Sequence, residues 1–245
     1  GQIIYYVALT CLFVQNYYFG YMTAIFLIIW TLVQLSRLKG QKLKRFVNFT
    51  LVSILSALSS LFMLLPTYLD LKTHGETFTT IVNLKTEDSW YLDFFAKNLV
   101  GSFDTTKFGS IPMISVGLVP LILALLFFTL KSIKPIVKLS YSLFFTLIIS
   151  SFYLQPLNLF WQGMHAPNMF LYRYAWVISI GIIYLAAETV VRLDQINLKH
   201  FTLVISFLFI GFLSTYFFKN HYDFLVDVNF LLTLEFLIAY LILFI

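Results

Sequence analysis

Apolar runs close to the ~20 residues that an α-helix needs to cross a bilayer recur from one end of this chain to the other, and no other feature narrows its possible folds so far. Inside hydrocarbon every backbone N–H and C=O must find a partner within the protein, so only helices and closed barrels span. The runs fall at residues 2–14, 17–36, 46–65, 113–130, 139–155, 173–191, 201–218 and 228–245. None shows the strict alternation of a barrel strand. The fold class that follows is all-α: a polytopic membrane bundle of about eight membrane helices, forming a single transmembrane domain over 1–245. Only 11% of the residues are charged, against about a quarter in soluble domains. That excludes a soluble domain, and the net charge of +5 then speaks to membrane orientation rather than to nucleic acid. The chain opens on Gly1 and ends at Ile245, apolar at both ends, and reads as an internal fragment of a longer protein.

Lysines and arginines concentrate on the cytoplasmic side of membrane proteins. Here they cluster in loop 37–45 (Arg37, Lys39, Lys42, Lys44, Arg45), loop 131–138 (Lys131, Lys134, Lys138) and loop 192–200 (Arg192, Lys199). These three loops share one side if the helices simply alternate. They are assigned to the cytoplasm, and the chain to a bacterial plasma membrane. The other side, extracellular, receives residues 16–20, the long outer loop 66–112, the outer polar stretch 156–172 and loop 219–227.

Within loop 66–112 the pattern predicts a short interfacial helix over residues 89–101. Trp90, Tyr91, Phe94, Phe95 and Leu99 share its apolar face, with Asp93 and Lys97 opposite. It lies either in the membrane surface or over the protein's own bundle. Asp70 and Asp104 in the same loop are possible acidic contacts for a metal or an acceptor, with an exposed loop acid as the plainer identity. Glu235, near the centre of the last segment, reads as a carboxyl hydrogen-bonded between helices, and Glu188 as the i+4 partner of Arg192. The four histidines and single cysteine show no metal-ligand spacing, so no metal site is assigned. No cofactor is firmly implied and the need for a divalent metal stays open.

The polar residues of the outer side gather between Gln155 and Tyr174. Gln155, Asn158, Trp161, Gln162, His165, Asn168, Tyr172 and Arg173 occur there without one Asp or Glu. Pro156, Gly163 and Pro167 predict a bent loop rather than a helix. Arg173 stands at the entrance of the next apolar segment, where free helix N–H groups and a guanidinium together suit an anion. It is the one arginine outside the basic loops. A carboxylate from another outer loop is its alternative partner.

At these residues the chain resembles the YfhO family of bacterial membrane proteins. Trp161-Gln-Gly-Met-His-Ala-Pro-Asn168 followed by Leu171-Tyr-Arg-Tyr174 is similar to that family's aromatic–x–Gly–x–x–x–Pro–Asn and Pro–Tyr–Arg–Tyr/Phe signature. Asn16-Tyr-Tyr-Phe-Gly-Tyr-Met22, Leu64-Leu-Pro66 and the Gly101-Ser-Phe to Ile111-Pro-Met-Ile-Ser-Val-Gly117 return support it. Leu171 stands where the family usually has Pro, and Ser115 where Tyr is common. The resemblance implies a GT-C-like membrane glycosyltransferase that moves a sugar from a polyprenyl-phosphate carrier to a cell-surface polymer such as teichoic acid. Its partners would be that lipid-linked sugar donor, the polymer acceptor and membrane lipids. The catalytic carboxylate of such enzymes lies in a first outer loop, expected to precede Gly1. The present residues would serve lipid-phosphate or sugar binding: Arg173 for the phosphate, Gln162, His165 and Asn168 as hydrogen-bonders, Trp161 as a stacking platform, with Tyr172, Asn16 and Tyr17 facing the same compartment. Two other classes stay open: a transporter or flippase of a lipid-linked glycan, and a non-catalytic scaffold subunit.

Overall fold

The computed structural model describes residues 1–245 apart from 75–78, 82, 87–88, 105–108, 168 and 245, and the side chain of His74. Among the described residues eleven α-helices follow one another: α1 (Gln2–Gln15), α2 (Tyr17–Leu35), α3 (Lys42–Ser59), α4 (Leu61–His74), α5 (Asp93–Asn98), α6 (Leu118–Phe127), α7 (Pro135–Tyr153), α8 (Gln155–Trp161), α9 (Trp176–Val190), α10 (Leu198–Phe217) and α11 (Asp227–Phe244). The protein is all-helical, with no strand among the described residues. Among the described residues four helices, α2, α7, α10 and α11, are long and apolar enough to cross a membrane, and a fifth span is available if the bent pair α3–α4 counts as one. The apolar helices α1, α6 and α9 are shorter.

Segment 46–65 therefore departs from the single straight helix that its hydropathy predicts. The chain breaks at Ser60, and α3 and α4 meet at 69°. Ser60 Oγ turns back to the carbonyls of Ser56 and Thr10, and such back-bonding by serine is a local cause of helix bending. Pro66 sits inside α4 itself.

The core lies in the second half of the chain. Six residues of α6 and seven of α9 are buried, whereas α1 buries only Leu9 and α3 only Ser56. Close approach is built into α9 and α10 by glycine. A Cβ on Gly181 would lie 2.7 Å from Phe144, and one on Gly211 would lie 2.1 Å from Phe95. The N-terminal helices are joined instead by hydroxyl contacts: Tyr5 to Ser53 at 2.8 Å and Tyr6 to Ser59 at 2.6 Å.

Side-chain contacts show which loops share an end. Arg37 after α2 meets Tyr141 of α7 and Glu188 of α9, so the three basic loops lie together. At the opposite end Asn83 meets Gln155, Thr79 meets Met164 and Ala166, and Trp90 meets His221. Described parts of the segments after α4, α7 and α10 are thus interlocked there; the expected loops 66–112 and 156–172 begin late, because α4 runs on to His74 and α8 covers Gln155–Trp161.

Candidate functional site

The end of the bundle opposite the basic loops is built on a buried polar framework that positions the cleft. The loop helix α5 is shorter than residues 89–101, and it packs into the bundle against Gly211 rather than along the membrane surface. Asp93 and Lys97, expected on its polar outer face, are both only 2% exposed. Asp93 accepts from the Trp90 amide at 2.8 Å and from the Tyr222 hydroxyl at 2.9 Å. Lys97 Nζ lies 3.1 Å from Asp104, which also accepts from the Ile111 amide at 3.1 Å. Asp104 is consequently a buried structural anion, not an exposed loop acid. Each charge is inside because it has a partner; unpaired, it would lose its hydration without return. Burial pushes the Asp93 carboxyl up and the Lys97 ammonium down, against the opposing pull of Asp104 on Lys97.

The Ile111 amide that Asp104 anchors begins an irregular return, residues 109–117, which runs beside residues 170–176. Between them opens a cleft of about 610 Å³, lined by Ser110, Ile111, Met113, Phe170, Leu171, Tyr172, Arg173, Ala175 and Trp176. Its lining is largely apolar, with Arg173 the one cation among the described residues. The Arg173 guanidinium lies 5.1 Å from the centre of the Tyr18 ring and 5.9 Å from that of Phe170, and donates to the Met169 carbonyl at 3.2 Å. Among the described residues no carboxylate pairs with it. Rings and one carbonyl hold the group in place but leave its charge uncompensated. The indole N–H of Trp176, in the same lining, is buried without an acceptor among the described residues. A positive fork in an apolar cleft suits an anionic group with an apolar body.

The remaining expected site residues that are described lie outside the cleft lining. Gln155 to Trp161 forms helix α8, because Pro156 occupies the first turn, where its missing N–H costs nothing; the expected loop starts only after Trp161. Trp161 is 2% exposed, stacks on Tyr174 at 5.1 Å and donates to Ser151. Its faces are covered, so it is a core aromatic and not a platform for sugar. Gln162 is 1% exposed, with its amide nitrogen bonded to Asn158 and to the Leu171 carbonyl. It braces the turn that presents Tyr172 and Arg173. Asn16 caps α2 through the Phe19 amide. Tyr17 and Asp70 are exposed, away from the cleft lining, and His165 is half-buried in the strap tied to Thr79. Asn168, with Glu76, Glu87 and Asp88, lies outside the described residues. Arg173 itself sits in the turn before α9, three residues ahead of the first helical position. No group of three or more metal-ligating side chains occurs among the described residues.

Sequence reading missed Ser110, Met113 and Trp176. Trp176 was legible as an interfacial aromatic, but nothing local announces that residues some 60 positions apart converge.

Compared with known proteins, the chain is matched over residues 1–245 by the family model described as bacterial membrane protein YfhO. No curated protein and no solved structure matches it.

Proposed function

The chain belongs to the YfhO family of bacterial membrane proteins, and on that premise we propose that it serves a membrane glycosyltransferase that moves a sugar from a polyprenyl-phosphate carrier to a cell-surface polymer such as teichoic acid. The observation that supports this reading is the uncompensated Arg173 guanidinium in an apolar cleft. In such a transfer the bond between the sugar's anomeric carbon and the phosphate oxygen breaks while an acceptor hydroxyl oxygen bonds to that carbon and gives up its proton. Negative charge grows on the departing polyprenyl phosphate. Arg173 would stabilise that charge, and the apolar lining would receive the first isoprenoid units. The role assigned to this chain is the leaving-group half of the reaction.

The test is transfer of labelled sugar from polyprenyl phosphate by the purified full-length protein. Arg173→Ala is expected to lower turnover by roughly 10²–10³-fold, the size of effect seen when a donor to a developing oxyanion is removed. A variant that folds and transfers at the wild-type rate would refute it.

The reading also places the basic loops in the cytoplasm and the cleft on the outer face of the plasma membrane. In a Cys11→Ser background, cysteines at Lys42 and Lys134 are expected to resist an impermeant thiol reagent in intact cells. Cysteines at the exposed Tyr91 and Phe103 are expected to react. Labelling at Lys42 from outside would reverse the orientation. One observation favours a transporter instead: the 69° break between α3 and α4, since broken helices line transporter sites. Movement of labelled lipid-linked glycan between leaflets by the reconstituted protein, with no sugar transfer, would select that reading.

A further inference from the structure

Helix α11 is apolar nearly all round, so hydropathy alone does not say which face meets lipid. Its packing does. Asn229, Phe230, Thr233 and Leu237 are buried against the protein. On the other side Val228, Leu231, Ile238 and Ile242 are 57%, 58%, 50% and 65% exposed, and Glu235 is exposed among them. The positions 228, 231, 235, 238 and 242 step by three and four residues alternately, the spacing of a seam that faces a partner helix. Glu235 is the ninth of the 18 residues of α11, roughly 12 Å along the axis from its start at 1.5 Å per residue. Left facing lipid, a carboxyl at that depth would be costly, and such groups face a bundle interior or a partner. Among the described residues none donates to Glu235 or pairs with it, so the carboxyl is not hydrogen-bonded between this chain's own described helices as the sequence led one to expect.

We infer that this stripe is an interface with a second copy of the chain, in which the two Glu235 carboxyls bond to each other across a two-fold axis. Self-pairing is favoured by the chemistry of the group. A carboxylic acid both donates and accepts, so two copies related by a two-fold axis satisfy each other without a cation on the partner. The flanking Leu231 and Ile238 then close the seam on either side. No residue of the Arg173 cleft belongs to α11, so the inference stands apart from the sugar-transfer reading.

The experiment is cysteine cross-linking of the full-length protein in membranes, in a Cys11→Ser background. Leu231→Cys and Ile238→Cys are expected to give disulfide-linked dimers on oxidation. Leu203→Cys, equally exposed on α10 at 60%, is expected to give at least tenfold less. Glu235→Gln keeps a donor and an acceptor and should preserve the Ile238→Cys cross-link; Glu235→Leu should reduce it at least tenfold. Absence of dimer at both seam positions, equal cross-linking at Leu203→Cys, capture of a different protein at the seam, or an undiminished cross-link in Glu235→Leu would each overturn the proposal.

Discussion

Arg37 and Arg173 occupy opposite ends of the bundle and differ above all in whether an acid meets them. Each guanidinium lies against two aromatic rings, Tyr141 and Tyr184 for Arg37, Tyr18 and Phe170 for Arg173. Arg37 also bonds Glu188 at 2.6 Å, and Glu188 takes Arg192 on its other oxygen at 2.7 Å. Among the described residues Arg173 has the Met169 carbonyl and no acid. Aromatic faces orient a guanidinium cheaply, but only an acid neutralises it. The basic end therefore spends its charge on tying α2 to α9, while at the opposite end no described carboxylate neutralises Arg173.

The comparison is tested most severely by removing the acid. Glu188→Ala strands two guanidiniums, and with side chains 17–29% exposed the expected loss of stability is about 2–3 kcal/mol, somewhat below that for a fully buried pair. Thermal denaturation in detergent reads it; a melting temperature equal to wild type would mean that Arg37 is held by its rings alone. A smaller effect is expected for Arg173→Lys, which keeps the charge but not the planar fork. Sugar transfer should fall about tenfold, roughly 1.4 kcal/mol in the barrier, with stability unchanged. Full activity in the lysine variant would reduce Arg173 to a point charge. Smallest is Tyr18→Leu, which removes one ring from under the guanidinium. A cation–π contact of about 0.5–1 kcal/mol corresponds to a two- to fivefold loss of transfer. A loss as large as that of Arg173→Ala would show that Tyr18 touches the substrate itself.

Much of this arrangement was legible in the sequence, for a physical reason. Hydrocarbon length and the need to satisfy every backbone group fix where helices lie, and the basic loops report which ends go together; Arg37, Tyr141 and Glu188 meet as that sorting requires. Arg173 stood out because no acid accompanies it in sequence. Other features were hidden because one residue type serves two roles. A glutamine that braces a turn, as Gln162 does, and one that binds sugar are the same letter, and burial alone separates them. Pro156 marks a break in mid-helix but starts a helix when it falls in the first turn. Asp93 and Lys97 looked like a solvated face, yet their partners Tyr222 and Asp104 allow both to be buried. The exposed seam of α11 could not be seen at all, since a uniformly apolar helix has no polar face to mark lipid from protein.

The central claim, that the free charge of Arg173 receives a lipid phosphate, is tested most directly by binding. The measurement is the affinity of the purified full-length protein for a polyprenyl phosphate, for wild type and for Arg173→Ala, with melting temperature recorded for each and inorganic phosphate as competitor. The expected result is affinity at least tenfold weaker in the variant, about 1.4 kcal/mol, with melting unchanged and partial displacement by phosphate in wild type only. Equal affinity in the two proteins, at equal stability, would contradict it.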